Sequence, residues 1–259
     1  MSKGVLVDIT KCIGCGSCVV ACKLWNERKF DDKNPGVAET PILNDHNWTT
    51  VSQKRVEKDG EEVWRFTKKQ CLHCLQPACK VVCFSKSFKV TDEGAVVYNP
   101  KLCVGCRYCM LSCPFEIPKY EWDRVLPNVV KCQMCHSKIT NGESPACIGV
   151  CPTDALEFGD REELLAKAKA KIKENNSYVN HVYGEKEAGG TSWMYISDVP
   201  FDKVGLPTNI THRPIPNYVK DFTQWVPHMF IGGGALLAGL SFYTKRRNKL
   251  EGSKDNDKG

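Results

Sequence analysis

The chain has 259 residues, an apolar fraction of 42% and a formal charge of +6 at pH 7. This length allows one or two modest domains. The basic residues do not form a stripe interleaved with aromatic residues, so we expect no nucleic-acid partner. The first ten residues lack a basic start followed by an apolar run, and we expect no secretion signal there.

Sixteen cysteines fall into four groups. The first group has the spacing C-x2-C-x2-C-x3-C, which is typical of ferredoxins that bind a [4Fe–4S] cluster, and the third group repeats it. At four thiolates for each cluster, the count predicts four [4Fe–4S] clusters and a function in electron transfer. The groups are Cys12, Cys15, Cys18 and Cys22; Cys71, Cys74, Cys79 and Cys83; Cys103, Cys106, Cys109 and Cys113; and Cys132, Cys135, Cys147 and Cys151.

Two β-hairpins are predicted between the first and third groups. Asn47–Glu57 and Glu61–Phe66 flank Asp59-Gly60, a strong hairpin signal. Phe88–Thr91 and Ala95–Tyr98 flank a short turn between the second and third groups. Each hairpin therefore precedes a cysteine group.

The cysteine groups must be paired, because in two-cluster ferredoxins the fourth cysteine of each run ligates the cluster of the other run. Only residues 84–102 separate the second group from the third, so these two predict a compact ferredoxin module at about residues 67–120. The first and fourth groups are then partners, and the second module is inserted between them. Sequential pairing is the alternative, and it must close the gap from residue 23 to residue 70.

The nested arrangement predicts four cages of thiolates. They are cage 1 with Cys12, Cys15, Cys18 and Cys151; cage 2 with Cys22, Cys132, Cys135 and Cys147; cage 3 with Cys71, Cys74, Cys79 and Cys113; and cage 4 with Cys83, Cys103, Cys106 and Cys109.

Disulfides and structural zinc are the alternative uses of the thiols. Disulfide frameworks occur in short secreted chains that cannot build a core. The fourth group by itself matches a four-cysteine zinc site. Three successive cysteines at a spacing of three residues instead wrap one face of a cubane, and Cys113-Pro114 and Cys151-Pro152 close their groups as in ferredoxins.

The negative charge of the clusters changes the net charge of the protein and therefore how its basic residues are interpreted. A [4Fe–4S] core with its thiolates carries on the order of −2, so four of them turn +6 into about −2. Arg107 and Lys23 lie next to cages, where they either raise local reduction potentials or are simply solvated side chains. We expect the backbone amides of residues 13–17 and 104–108 to donate to sulfur. His73 and His136 are expected to be packed or surface residues, because every cage already has four ligands.

The residues after the fourth group predict connecting elements. Ala155–Phe158 and Ser192–Val199 predict strands. Asp160 predicts the N-cap of a helix over Arg161–Glu174, whose charged residues and alanines indicate a solvated or partner-facing surface helix. Four prolines without periodicity predict an extended arm over Pro200–Pro216.

A membrane-spanning helix is predicted near the C-terminus. Trp225–Tyr243 contains no charged residue apart from His228, and at 1.5 Å per residue it spans roughly 28 Å. We therefore expect a cluster domain over residues 1–224, a transmembrane helix over 225–244 and a basic, disordered tail over 245–259. The positive-inside rule places this tail in the cytoplasm and the cluster domain on the periplasmic side of a bacterial inner membrane.

On these motifs, the chain resembles the iron–sulfur β subunits of membrane-bound respiratory oxidoreductases, such as nitrate-inducible formate dehydrogenases and periplasmic uptake hydrogenases. The resemblance covers roughly residues 4–200, and the chain departs from it at Phe84, where many relatives have proline. The matching stretches are LVDITKCIGCGSCVVACKLWN, CLHCLQPACKVVC, CVGCRYCMLSCPFEIPKYEWD, VVKCQMCHSKI, GESPACIGVCPTDAL and GGTSWMYISDV.

The resemblance implies an α+β fold with two nested ferredoxin-like dicluster modules and one C-terminal transmembrane helix. It implies an electron-transfer subunit that is not an enzyme by itself. The implied partners are a large catalytic subunit, of the molybdopterin or hydrogenase type, and a membrane cytochrome b or haem-free quinone-reactive subunit. The alternative is an independent membrane-tethered polyferredoxin that serves soluble redox carriers. These motifs do not identify a substrate.

Overall fold

Short strands and helices alternate along the chain in the computed structural model, which describes residues 2–31, 33–125 and 127–256. The chain divides into two units, Met1–Ile215 and Pro216–Gly259. The strands are β1 (Lys3–Asp8), β2 (Val37–Ala38), β3 (Thr50–Lys58), β4 (Glu61–Lys69), β5 (Phe88–Val90), β6 (Val96–Tyr98), β7 (Lys119–Tyr120), β8 (Val129–Val130), β9 (Leu156–Asp160) and β10 (Trp193–Ile196). The helices are α1 (Ser17–Trp25), α2 (Ala78–Val81), α3 (Tyr108–Leu111), α4 (His136–Ile139), α5 (Ala146–Gly149), α6 (Arg161–Glu174), α7 (Ile215–Thr223) and α8 (Val226–Asn256).

A three-stranded sheet joins the two ends of the cysteine-bearing region. β1 is its central strand, with β10 parallel on one side and β9 antiparallel on the other. Val7 lies opposite Leu156, and the amide of Asp8 donates to the carbonyl of Ala155 at 2.9 Å. Because β1 leads into the first cysteine group and β9 follows the fourth, this register places the start of the first group beside the end of the fourth.

Both predicted hairpins are confirmed. β3 and β4 pair along their whole length, with Lys58 opposite Glu61. Asp59 and Gly60 both have positive φ, at 52° and 85°, as a two-residue type I′ turn requires. β2 adds to this hairpin as a third strand parallel to β3. The second hairpin pairs β5 with β6.

The predicted helix over Arg161–Glu174 is confirmed as α6. The expectation of a solvated or partner-facing surface helix is wrong for one face, which is buried in the core. The Asp160 carboxylate caps the helix by accepting from the Glu162 amide at 3.1 Å. Leu164, Ala168 and Ile172, spaced four residues apart, are buried and form a core cluster with residues from β1 and β10. This narrow apolar stripe attaches the helix to the central sheet. The predicted strands before and after it are confirmed as β9 and β10.

The segment after β10 is not an extended arm along its whole length. Phe201, Val204 and Leu206 are buried in the main core, although they follow no strand or helix period. The chain then enters α7 at Ile215, so Pro216 lies in the first turn of a helix, where its missing amide hydrogen is tolerated.

The C-terminal unit contains α8. Among the described residues, the stretch Ile215–Asn248 is long and apolar enough to cross a membrane, with a mean hydropathy of 1.3 over its most apolar window and no burial within the chain. α8 continues past the predicted end of the span at residue 244 as far as Asn256. The expected disordered tail therefore begins as helix, and its residues 257–259 lie outside the described residues.

A buried carboxylate ties the long hairpin to the residues after β10. Asp198 is 4% exposed at its side chain and accepts hydrogen bonds from Lys58 Nζ at 2.7 Å and Arg65 Nε at 2.8 Å. Burial alone raises the pKa of Asp198, but these two donors lower it to about 2. The stabilisation is therefore fully present above about pH 4 and is lost as the pH falls toward 2.

We expect Asp198→Asn to lower the free energy of unfolding by about 2 kcal/mol, because two charged donors lose their acceptor charge. This corresponds to a fall of about 4–8 °C in the thermal unfolding midpoint of the full chain at pH 7. Glu157→Gln is the control, since Glu157 pairs with Lys167 at the exposed surface, and we expect it to cost less than about 0.5 kcal/mol. Equal midpoints for the two variants would contradict the structural role of Asp198.

Candidate metal centre

The thiols predicted for cage 1 line one common cavity. Its lining includes all four of them, Cys12, Cys15, Cys18 and Cys151. The pairing of β1 with β9 explains this, because it draws the chain at Cys151 toward the chain at Cys12. The two thiols are close enough that Cys151 contributes to the raised pKa of Cys12, after the larger effect of burial.

The predicted cage 2 forms where α1 meets α5. These helices pack against each other and carry Cys22 and Cys147. Burial raises the pKa of Cys22 to about 12; Lys68 opposes this rise, and the neighbouring thiols of Cys147 and Cys135 add to it. Burial likewise raises the pKa of Cys132, and Cys22 is the first of its thiol neighbours. Members of the first and fourth groups are therefore neighbours.

The second and third groups meet around a separate core cluster. Phe88, Val96 and Tyr120 are buried in it, and α2 packs against α3. Burial raises the pKa of Cys74 well above its ordinary value, and the thiols of Cys71, Cys113 and Cys79 add to this rise. Burial also raises the pKa of Cys109 to about 12, together with the thiols of Cys103, Cys106 and Cys83. These neighbours are the members predicted for cages 3 and 4.

Electrostatic interactions between thiols of different predicted cages give the cages an order. Cys18 of cage 1 has Cys147 of cage 2 as a neighbour. Cys132 of cage 2 has Cys71 of cage 3, and Cys79 of cage 3 has Cys109 of cage 4. The thiols of the predicted cages therefore follow one another in the order cage 1, cage 2, cage 3 and cage 4.

The raised pKa values have a chemical consequence. Burial raises the pKa of Cys18 to about 11 and that of Cys79 to about 12, so these thiols are protonated at neutral pH without iron. Iron binds thiolates, and assembly of a metal centre here must therefore release protons.

Backbone amides donate to several of the cysteine sulfurs. Gly105 N lies 3.4 Å from Cys103 Sγ, and the Gly14 amide donates to Cys12 and opposes the rise in its pKa, which confirms one donor in each predicted loop. Met134 N donates to Cys132 Sγ and Ser87 N to Cys83 Sγ, both at 3.3 Å. The last two donors were missed, because their loops lack the glycine spacing of the first and third groups.

The two histidines beside cluster cysteines differ in their surroundings. His73 is fully buried, and its Nδ1 accepts a hydrogen bond from Val96 N at 2.9 Å. Its proton must therefore reside on Nε2, which has no hydrogen-bond partner within the described ranges. His136 is half-buried, with Nδ1 3.8 Å from a carboxylate oxygen of Glu93. The prediction that His73 is a packed residue is confirmed.

Two buried lysines were missed by sequence reasoning. Lys68 and Lys131 are each 2% exposed. Lys131 Nζ donates to the carbonyls of Val96 and Cys132, and the ammonium opposes the raised pKa of Cys79. The only signal in the sequence is that a lysine directly precedes Cys132 and another lies three residues before Cys71.

The two cations that were predicted to affect potentials have different environments. Lys23 is buried beside Cys22, with Nζ donating to the carbonyls of Lys29 and His46, and burial lowers its pKa. Arg107 is exposed and stacks over the Trp122 ring at 4.7 Å from its centroid. Solvent screens the charge of Arg107 more strongly than that of Lys23.

The donor chemistry fits iron–sulfur clusters. In the parts of the chain that the structure describes, no group of three or more His, Cys, Asp or Glu side chains forms a site for a single metal ion. The cage 1 thiols instead line one common cavity, and backbone amides donate to cysteine sulfurs elsewhere, as at Cys103. Soft thiolate donors of this kind select iron–sulfur clusters.

These features define an iron–sulfur protein of the ferredoxin class, and comparison with known proteins agrees. Two family models described as 4Fe-4S dicluster domains match residues 62–161 and 11–87. The chain is 35% identical over 251 residues to the iron–sulfur subunit of the nitrate-inducible formate dehydrogenase of Escherichia coli K12, covering 92% of this chain and 83% of that protein.

Two further relatives extend the comparison. The hydrogenase-2 operon protein HybA of Escherichia coli O157:H7 is 35% identical over 242 residues, covering 80% of this chain and 73% of HybA. A protein of Nitratidesulfovibrio vulgaris is 40% identical over 256 residues, covering 96% of this chain and 68% of that protein. The chain belongs to the family of 4Fe-4S dicluster proteins that includes HybA and the formate dehydrogenase iron–sulfur subunits.

The two matched ranges do not distinguish nested from sequential pairing. They overlap over residues 62–87, so the second cysteine group belongs to both. One range joins the first group to the second, whereas the thiol neighbours in the structure join the first group to the fourth.

We expect Gly14→Ala to lower the iron and acid-labile sulfide content of the purified chain. Gly14 has φ +70°, and a Cβ atom there would lie 2.4 Å from the Phe66 ring, so the loop between Cys12 and Cys15 must shift. Gly60→Ala is the matched control: Gly60 has φ +85° but nothing within 4 Å of the added atom, and it lies at a hairpin turn. Equal iron contents in the two variants would show that the close packing at Gly14 is not needed for cluster binding.

Proposed function

We propose that this chain relays electrons through four [4Fe–4S] clusters between a large catalytic subunit and a quinone-reactive membrane subunit. The observation that carries the proposal is the close packing of the four thiol groups: the cage 1 thiols line one cavity, α1 packs against α5, and α2 packs against α3. The electrostatic interactions between thiols agree with the order from cage 1 to cage 4. When bound, such clusters exchange electrons at potentials from roughly −700 to +450 mV. The chain would serve to hold the clusters in line and to set each potential through burial, hydrogen bonds to sulfur and nearby charge.

We assign the ligands as in the nested arrangement. The contact of α1 with α5 and the proximity of Cys12 to Cys151 support the pairing of the first group with the fourth. The contact of α2 with α3 and their shared core cluster support the pairing of the second group with the third. Two dicluster modules with sixteen thiols are consistent with four clusters.

The partners are inferred from the relatives. One relative is named for a hydrogenase operon and another is a formate dehydrogenase subunit, so we infer a catalytic partner of the hydrogenase or molybdopterin type. We assign catalysis to that partner and the exit of electrons to a cytochrome b or haem-free membrane subunit. The second candidate, a tethered polyferredoxin that serves soluble carriers, requires that the chain be isolated without such partners.

We propose that the apolar part of α8 crosses the bacterial inner membrane. Residues 227–248 of this helix are exposed within the chain, as a segment surrounded by lipid would be. Lys245, Arg246, Arg247 and Lys249 follow the apolar stretch immediately. From the positive-inside rule, we infer that the C-terminus lies in the cytoplasm and the cluster domain in the periplasm.

The wild-type chain is expected to contain about sixteen irons, and cysteine variants should reveal which thiols share a cluster. In the nested arrangement, Cys12→Ser and Cys151→Ser perturb the same cluster, whereas Cys83→Ser perturbs another. The double variant C12S/C151S should therefore lose little more iron than either single variant, and C12S/C83S should lose the sum of both losses. Iron analysis and electron paramagnetic resonance of the reduced protein measure these effects.

Sequential pairing makes the opposite prediction, because Cys83 would then complete the cage of Cys12. Additive iron loss in C12S/C151S with non-additive loss in C12S/C83S would overturn the nested assignment. A correctly folded wild-type chain with far fewer irons would overturn the four-cluster relay itself.

We expect Leu236→Arg to release the chain from the membrane fraction, because a cation near the centre of a span costs about 3 kcal/mol. The released protein should still co-purify with the large catalytic subunit but lose the membrane subunit. Leu236→Phe is the control and should remain in the membrane with both partners. Retention of L236R in alkali-washed membranes would contradict the proposed span, and a wild-type chain that purifies alone would favour the polyferredoxin.

A further inference from the structure

Lys68 is a buried cation without a carboxylate partner. Its side chain lies at the end of β4, and within the described part of the chain it forms no ion pair with an acidic residue. Nζ donates to Gln70 Oε1 at 2.8 Å and lies 4.5 Å from the centroid of the Trp193 ring. A buried ammonium is strongly unfavourable unless a counter-charge lies nearby, so this site requires a source of negative charge.

The cysteine thiols are the groups placed to supply that charge. Lys68 lines the cage 1 cavity together with Cys12, Cys15, Cys18 and Cys151. Burial alone lowers the pKa of Lys68, yet its pKa is raised overall, because Cys147, Cys18 and Cys132 favour the ammonium. Cys18 is assigned to cage 1, and Cys147 and Cys132 to cage 2. Lys68 is therefore a neighbour of two cages at once.

A hydrogen-bonded network holds the ammonium in this position. Gln70 accepts from Lys68 Nζ and donates through Nε2 to the Tyr195 hydroxyl at 2.7 Å. The Tyr195 hydroxyl in turn donates to the backbone carbonyl of Lys68 at 3.0 Å. Gln70 and Tyr195 are both buried, and Tyr195 belongs to β10 of the central sheet. The charge is thus fixed by the fold.

We propose that Lys68 is the shared counter-charge of cages 1 and 2 and raises the reduction potentials of the clusters they hold. The inference rests on the proposed function and identifies a positioning residue for it. Reduction adds a negative charge to a cluster, so a nearby fixed cation stabilises the reduced state more than the oxidised state. The effect is large at Lys68, because the charge lies in a buried, weakly screening environment.

The test compares Lys68→Met with two other variants in the full-length complex. Lys11→Met is the matched control: it removes the same charge next to Cys12, but Lys11 is exposed and its charge is screened by solvent. Lys68→Arg keeps the charge. Redox titrations followed by electron paramagnetic resonance give the ratio of reduced to oxidised protein for each cluster, and the cysteine variants assign the signals to cages.

In K68M we expect this ratio, at a fixed ambient potential, to fall about tenfold for the clusters of cages 1 and 2, which is 59 mV for a one-electron couple. The other two clusters should be unchanged, and K11M and K68R should shift by less than about threefold. Unchanged ratios in a fully loaded K68M, or equal shifts in all four clusters, would overturn the proposal.

Two further outcomes are informative. If K68M loses iron, the K68R variant distinguishes a role of the charge from a role in packing. Full iron content and normal potentials in K68R support the role of the charge. The same iron loss in K68R overturns it. If the wild-type protein shows fewer than four couples, the proposed function fails, and this failure is visible before any lysine variant is compared.

Discussion

The antiparallel pairing of β1 with β9 is the constraint on which the cysteine arrangement depends. It places the strand that enters the first cysteine group beside the strand that leaves the fourth, with Val7 opposite Leu156. β10 completes the sheet by pairing with β1 from the other side. The second and third groups need no such closure, because a hairpin and their own core cluster hold them together. A sheet thus joins the first and fourth groups, whereas a hairpin and a core cluster join the second and third.

The interior of this unit must accommodate charge as well as apolar side chains. Burial acts against ionisation of thiols such as those of Cys22 and Cys74, and iron binding requires ionised thiols. Three buried lysines supply positive charge in this interior: Lys23, Lys68 and Lys131. Each donates hydrogen bonds to carbonyl or amide oxygens, and none of them pairs with a carboxylate among the described residues. A carboxylate there would neutralise the cation and cancel its effect on the cages.

Much of the fold could be predicted from local signals. Asp59-Gly60 supplies the positive φ values of its hairpin, and Asp160 supplies the cap of α6, so both elements were located correctly. The buried stripe of α6 was missed because its three members are outnumbered by charged neighbours. Lys68 was missed for a different reason. It is adjacent to Lys69 in the same strand, and no local pattern tells which of the two side chains is enclosed.

The pairing of β1 with β9 also has a consequence for biosynthesis. β1 leaves the ribosome well before its partner β9, which is complete only at Asp160. At about 5–20 residues per second, roughly 8–30 s pass before the sheet closes, and for most of that interval Cys12 is without its neighbour Cys151. The hairpin-linked second and third groups are translated by residue 113, well before this point. Maturation of the protein should therefore start from the middle of the chain and end at its first cysteine.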